Sequence, residues 1–237
     1  MRQMTRLKPD LFIAPDDSLE GARKHSEELD QLFGFKIPQI ETQLLESACA
    51  LNPTGSHKTW GQSLHGGNQT WVGLSHQTLQ TPYSELKQIC ELLDPSPGSR
   101  VVDLGAGYGR MGLVLAGLYP EVSFLGLEYV PERVEEGSRV LKELECHKSK
   151  LAVQDLTQES FELPEAEFYF LYDYGTVAHI RKTLTQLETM ALKKKYRLIA
   201  RGKGSRSLIQ YEHPWLSQVY PPIHEEEFSI FSMSQDL

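Results

Sequence analysis

The sequence is short of cysteine, of positive charge and of long apolar runs. Its three cysteines, Cys49, Cys90 and Cys146, are widely spaced, odd in number and form no C-x-x-C pair. That spacing offers neither a disulfide framework nor a thiolate metal centre, and it reads as reduced, partly buried thiols. No metal is expected. Lysine and arginine number 24 against 32 aspartates and glutamates, a net charge of −8. Broad nonspecific binding to nucleic acid depends on neutralising phosphates, so this balance gives no strong nucleic-acid signal, although it leaves room for a local basic patch. No apolar run approaches the ~20 residues of a membrane span. "MRQMTRLKPDLF" carries charge but no apolar h-region, so no signal peptide is expected. The reading is a cytoplasmic protein with no membrane partner.

What is present is a globular composition in 237 residues, 40% hydrophobic and 24% charged. Three zones differ. Residues 1–51 read as two helices. Asp17-Ser18 is a candidate cap for "LEGARKHSEELDQLF", with Leu19, Ala22, Leu29, Leu32 and Phe33 on an apolar stripe. "IPQIETQLLESACAL" has Pro38 near its start. Residues 52–81 are rich in Gly, Ser, His, Gln and Thr and have no helical period, yet Trp60 and Trp71 argue against plain disorder. Long loops of this kind are often functional lids.

From Thr81 onward the chain alternates strand and helix. Thr81-Pro82 reads as N-cap and first helical residue of "YSELKQICELLD". "RVVDL", "VSFLGLE", "LAVQD", "EFYFLYD" and "YRLIAR" read as strands. "GRMGLVLAGLY", "PERVEEGSRVLKEL" and "VAHIRKTLTQLETMAL" read as the helices between them. "SLIQYE" and "EFSIFSM" read as two further extended segments. Near-continuous apolar strands alternating with helices imply a parallel sheet covered on both faces. Such sheets bind ligands beyond their C-terminal strand ends. Those ends are Asp103, Glu128, Asp155 and Asp173, all carboxylates.

The stretch "VVDLGAGYGRMG" holds two overlapping fingerprints. Gly107, Gly109 and Gly112 form a G-x-G-x-x-G, the dinucleotide pattern. Gly105, Gly107 and Gly109 follow Asp103 at every second position. The strand runs directly into Gly105, which favours the second register. Asp103 would also repel a pyrophosphate, whereas a cationic ligand would prefer that carboxylate. S-adenosylmethionine has a sulfonium and an α-ammonium and no phosphate. Glu128, 25 residues beyond Asp103, suits ribose hydroxyls with either ligand. Asp155 and Leu156 suit an adenine, the acid accepting its amine and the leucine packing on its ring. Tyr108 and Tyr129 are either pocket walls or packing residues. Gly112 then reads as a small residue for helix–sheet packing.

Together, "VVDLGAGYG", "GLEYVPERV", "VQDLT" and "FLYDYG" resemble the successive motifs of the class I (seven-β-strand) S-adenosylmethionine-dependent methyltransferases, over roughly residues 81–237. The resemblance implies an α/β fold. It is a Rossmann-like, doubly wound, mainly parallel seven-stranded sheet with an antiparallel closing strand. A helical extension and lid (1–80) would precede the methyltransferase domain (81–237). It implies S-adenosylmethionine as cofactor, bound by Asp103, Gly105, Ala106, Gly107, Gly109, Glu128, Tyr129, Asp155, Leu156 and Asp173. It places "LYDYG" at the transferred methyl, with Asp173 and Tyr174 as catalytic candidates, or Asp173 as a helix cap. The chain departs there from the Asn/Asp-Pro-Pro-aromatic variant that serves base amines and amides. "TPYSEL" ahead of "VDLGAGYGR" is loosely similar to protein-lysine methyltransferases without a SET domain, and puts Thr81 and Tyr83 beside the cofactor. The acceptor this suggests is a protein lysine. RNA, a small molecule, or non-catalytic cofactor binding remain alternatives. The basic run 193–206 reads as solvated charge around a buried strand, and His213 as a packed imidazole.

Overall fold

A computed structural model describes residues 7–16, 18–56, 59–64, 71–218 and 220–233. Five apolar runs form parallel strands: β1 (Arg100–Leu104), β2 (Ser123–Glu128), β3 (Ser149–Val153), β4 (Phe168–Tyr172) and β5 (Arg197–Arg201). With β6 (Ile223–His224) and β7 (Phe228–Ser232) they make a sheet ordered β3-β2-β1-β4-β5-β7-β6. β7 pairs antiparallel with both β5 and β6. The helices are α1 (Leu19–Phe33), α2 (Ile37–Leu51), α3 (His76–Leu79), α4 (Tyr83–Leu93), α5 (Arg110–Leu118), α6 (Pro131–Glu143), α7 (Val177–Ala191), α8 (Lys203–Glu212) and α9 (Trp215–Gln218). Among the described residues no helix is long and apolar enough to cross a membrane.

The central strands β1, β4 and β5 are mostly buried and largely apolar because both faces are covered, whereas the edge strand β3 buries only Leu151. Successive side chains go to opposite cores. Val101, Phe168, Phe170 and Ile199 pack with residues of α1, α4, α5 and α6. Val102, Tyr169, Leu171, Leu198 and Ala200 pack with residues of α7, α8 and α9. Each fully buried Val, Leu, Ile or Phe among them contributes roughly 1.5–3 kcal/mol. The N-terminal helices are not a loose appendage. Phe12, Leu29, Phe33, Phe35 and Ile37 belong to the same cluster as Leu86, Met111 and Phe168.

Several local expectations are revised. "SLIQYE" is not a strand but lies in α8, where Ser205, Leu208 and Ile209 are buried at helical spacing. The outer strand is instead the two-residue β6. In α1, Ser18 caps through its side chain as expected, whereas Asp17 lies outside the described residues. Its buried face is Ser26, Leu29, Asp30 and Phe33, and Leu19 and Leu32 are exposed. Pro82, not Thr81, is the N-cap of α4. His213 is buried against Trp215, whose Nε1 donates to its Nδ1. In the basic run, Arg201 pairs with Glu85 and Lys194 with Glu167, so part of that charge is structural.

The order of the sheet decides where a ligand goes. From β1 the chain moves outward to β2 and β3, then returns to β4 on the other side. The crossovers diverge there and leave a crevice at the C-terminal ends of β1 and β4.

Candidate functional site at the strand ends

A cavity of about 270 Å³ lies at that crevice. Its floor comes from the loops after β1, β2 and β3. The backbone N–H groups of Gly105 and Ala106 both donate to the Leu127 carbonyl, at 2.8 and 3.0 Å. Gly107 N–H donates to Glu128 Oε2 at 2.9 Å, and Val130 N–H donates to Glu128 Oε1 at 3.0 Å. The glycine turn is thereby tied to the end of β2. Gly105 has φ +90°, and a Cβ there would collide with Tyr174. Gly107 has φ +54°, and a Cβ there would meet nothing within 4 Å. Gly105 thus satisfies a packing need, and Gly107 leaves open space at the turn.

Eight of the predicted residues line this one cavity: Gly105, Gly107, Glu128, Tyr129, Asp155, Leu156, Asp173 and Tyr174. Asp155 Oδ1 accepts from Thr157 N at 2.8 Å and Thr157 Oγ1 at 2.6 Å, which shapes the turn after β3. Leu156 is buried beside it. Asp103 is 5% exposed and does not itself line the cavity. Among the described residues no hydrogen bond reaches its carboxylate. Burial, and then the charge of Glu128, push its pKa up to about 8.

The structure places other predicted residues elsewhere. Tyr83 is fully buried: its hydroxyl donates to Asp30, and its ring stacks on Phe12 and lies under the Arg110 guanidinium. Thr81 is buried, and its carbonyl accepts from Arg110 Nη1. Gln80, one residue earlier, lines the cavity instead. The helix that begins at Tyr83 packs into the core and carries these two residues away from the ligand side. Gly109 is the left-handed N-cap of α5 and abuts Leu151, and Ala106 packs against Gly126. Gly112 packs on β2 and β3, since a Cβ there would stand 2.7 Å from the Phe124 ring.

The two catalytic candidates are heavily engaged. Asp173 Oδ1 accepts from Ser205 N and Ser205 Oγ at 2.7 and 2.6 Å, and Oδ2 from Gly204 N at 3.1 Å. It caps α8, not the helix that follows it in sequence. That helix, α7, is capped by Thr176 with His179 in a capping box. Tyr174 turns its hydroxyl to Thr183 Oγ1 and the His179 carbonyl, and burial pushes its pKa up to about 12. Tyr174 lines the cavity while its hydroxyl is engaged with α7.

Residues 71–80 form the remaining wall, through Trp71, Leu74, His76, Thr78, Leu79 and Gln80. Part of the expected lid, residues 57–58 and 65–70, lies outside the described residues. Trp71 Nε1 donates to the Asp173 carbonyl at 3.1 Å, and the Tyr172 hydroxyl donates to the Thr78 carbonyl at 2.9 Å. Tyr172 is backed by the Arg201 guanidinium, 4.3 Å from its ring centre. Sequence reasoning missed Glu41 of α2, Arg133 of α6 and His179 of α7, which also line the cavity. His179 Nδ1 accepts from Thr176 N, and burial holds its pKa below the usual histidine value. No local pattern marks these three. Each sits on an ordinary amphipathic helix.

No protein-family model matches the chain. Over 56 residues it is 41% identical to ribosomal RNA small subunit methyltransferase G of Porphyromonas gingivalis, a match covering 24% of this chain and 25% of that protein. The chain thus matches about a quarter of the length of this curated relative. Among solved structures it is similar to precorrin-6y C5,15-methyltransferase of Geobacter metallireducens. There the identity is 15%, with 66% of this chain and 90% of the other covered at a TM-score of 0.50. It is also similar to an RNA methyltransferase of Salinibacter ruber solved with S-adenosylhomocysteine. There the identity is 16%, with coverage of 67% and 95% at a TM-score of 0.49. Strand order, the antiparallel β7 and the likeness to the precorrin-6y enzyme agree on one conclusion: the chain has the Rossmann-like fold of the class I methyltransferases.

Proposed function

We propose that this protein is an S-adenosylmethionine-dependent methyltransferase. The observation that carries the reading is the convergence of Gly105, Gly107, Glu128, Asp155 and Leu156 on one cavity at the topological switch point. These groups fit the cofactor part by part. The open face of Gly107 admits a ligand close to the backbone. Glu128 accepts one backbone N–H at each oxygen, which leaves acceptor capacity for ribose hydroxyls, and Asp155 with Leu156 lines the cavity where an adenine would lie. Asp103 is a buried acid with no hydrogen bond among the described residues, so a nearby ammonium would relieve its cost.

The cofactor supplies an activated methyl on a sulfonium. Transfer is an in-line substitution, so this chain's residues contribute mainly by positioning. Asp173 shapes the acceptor end. Its carboxylate fixes α8, and its carbonyl holds Trp71. Trp71, Tyr172 and Tyr174 line that end and make it aromatic. Such a lining suits a planar acceptor group. We place RNA first as acceptor class, supported by the ribosomal RNA methyltransferase relative. A small molecule is second, favoured by the wall that residues 71–80 build beside the cavity. The lysine acceptor suggested by "TPYSEL" has no added support, since Thr81 and Tyr83 leave the site and the Asp173 carboxylate is engaged.

Calorimetric titration with S-adenosylhomocysteine tests the cofactor, and absence of binding to the wild type overturns it. Methyl-labelled cofactor offered separately to RNA, protein and small-molecule fractions tests the acceptor. Label entering RNA is expected. Label confined to protein overturns the acceptor order.

A further inference from the structure

One buried guanidinium beside the cavity joins three elements that lie far apart in sequence. Arg133, in the first turn of α6, is 7% exposed and lines the cavity. Its Nε and Nη2 donate to Glu41 Oε1 and Oε2 of α2, at 2.8 and 3.1 Å. Nη2 also donates to the Trp71 carbonyl at 2.9 Å, and Nη1 faces Glu128 Oε1 at 3.8 Å. The Tyr108 hydroxyl donates to Glu41 Oε1 at 2.8 Å and helps hold that carboxylate. A planar fork can meet all three partners at once, whereas a lysine ammonium cannot. The same helix supplies a contrast. Arg139 also ties α6 to the N-terminal helices, through Glu136 and the Gly34 carbonyl, but it does not line the cavity.

We propose that Arg133 is a positioning residue of the cofactor site. Held by Glu41, it fixes the Glu128 carboxylate for the ribose and holds the cavity wall at the Trp71 carbonyl. Cofactor occupancy and the position of Trp71 are thereby coupled, and α2 becomes part of the binding machinery. The inference rests on the cofactor reading above and adds the link between the ribose acid and Trp71.

The test is titration of S-adenosylhomocysteine into the full chain, by calorimetry and by tryptophan emission, with Trp71→Phe identifying the Trp71 signal. The variants are Arg133→Met, Arg133→Lys and Arg139→Met. A wild type that binds nothing overturns the cofactor reading and takes this proposal with it. With wild-type binding in hand, Arg133→Met is expected to weaken affinity by about tenfold or more and to abolish the Trp71 response. Arg133→Lys keeps the charge, so part of the affinity returns while the Trp71 response does not. Arg139→Met is expected to change neither. The proposal fails in any of three cases: Arg133→Met binds like the wild type, Arg139→Met weakens binding equally, or the wild type binds with no Trp71 response. If Arg133→Met does not fold, Arg133→Lys decides. A wild-type affinity and response in that variant reduce the fork to a structural tie.

Discussion

Asp103 and Asp173 end neighbouring strands, β1 and β4, and their surroundings are opposite. Asp173 receives three donors from the start of α8, so its charge is matched by backbone amides and by the helix dipole. Asp103 receives none among the described residues, and burial beside Glu128 pushes its pKa up to about 8. The same residue type at the same edge of one sheet thus serves two purposes. One carboxylate has spent its hydrogen bonds on the fold. The other is a buried acid with no hydrogen bond among the described residues, two positions before the cavity residue Gly105.

The difference can be broken first where the two regions touch. Gly105→Val forces a side chain into Tyr174 from a left-handed backbone. Overpacking and strain of roughly 3 kcal/mol together should cost about 100-fold or more in S-adenosylhomocysteine affinity by calorimetry. Retained affinity would mean that the turn does not approach the ligand.

Asp173→Ala removes an acceptor of three hydrogen bonds. Urea denaturation should show a loss of about 2–3 kcal/mol in stability, while cofactor affinity stays within about threefold. Unchanged stability with collapsed affinity would put Asp173 in the same class as Asp103.

Asp103→Asn should do the reverse, weakening binding by about tenfold with little loss of stability. Its pH dependence sharpens the test. The free wild-type site holds a proton below about 8 that a cationic ligand displaces. Wild-type affinity should therefore rise with pH from about 6 to about 8 and flatten beyond, and Asp103→Asn should remove that slope. The stability sign is opposite. A folded pKa raised from 3.8 means that unfolding releases a proton between 3.8 and about 8, so this group's contribution falls as pH rises through that window.

The smallest effect belongs to the lid. Tyr172→Phe deletes the hydrogen bond to the Thr78 carbonyl, worth roughly 0.5–1.5 kcal/mol. Hydrogen exchange across residues 71–80 should quicken by about threefold to tenfold, with cofactor affinity nearly unchanged.

The cavity residues at the strand ends were legible in the sequence, whereas Glu41, Arg133 and His179, which helices bring to the same cavity, were not. Gly105, Gly107, Glu128, Asp155 and Leu156 follow apolar strands directly, and a parallel sheet brings every such end to one edge. "SLIQYE" misled because two adjacent apolar residues, Leu208 and Ile209, suit a strand or a helix equally, and only contact with the sheet's second face selects the helix. Thr81 and Tyr83 are buried away from the cavity lining, because their motif fixes a helix start but not the direction in which that helix packs.

Sequence by itself determined the sheet, the glycine register and the row of acids, because strand periodicity and turn chemistry act between near neighbours. Tertiary structure alone decided that Asp173 caps α8, that Trp71 reaches across to its carbonyl, and that Glu41 and Arg133 meet at 2.8 Å. The partners in those last two contacts are 102 and 92 residues apart. No local pattern records such a pairing, because it forms only when the buried faces of separate helices and loops are packed on the same strand ends.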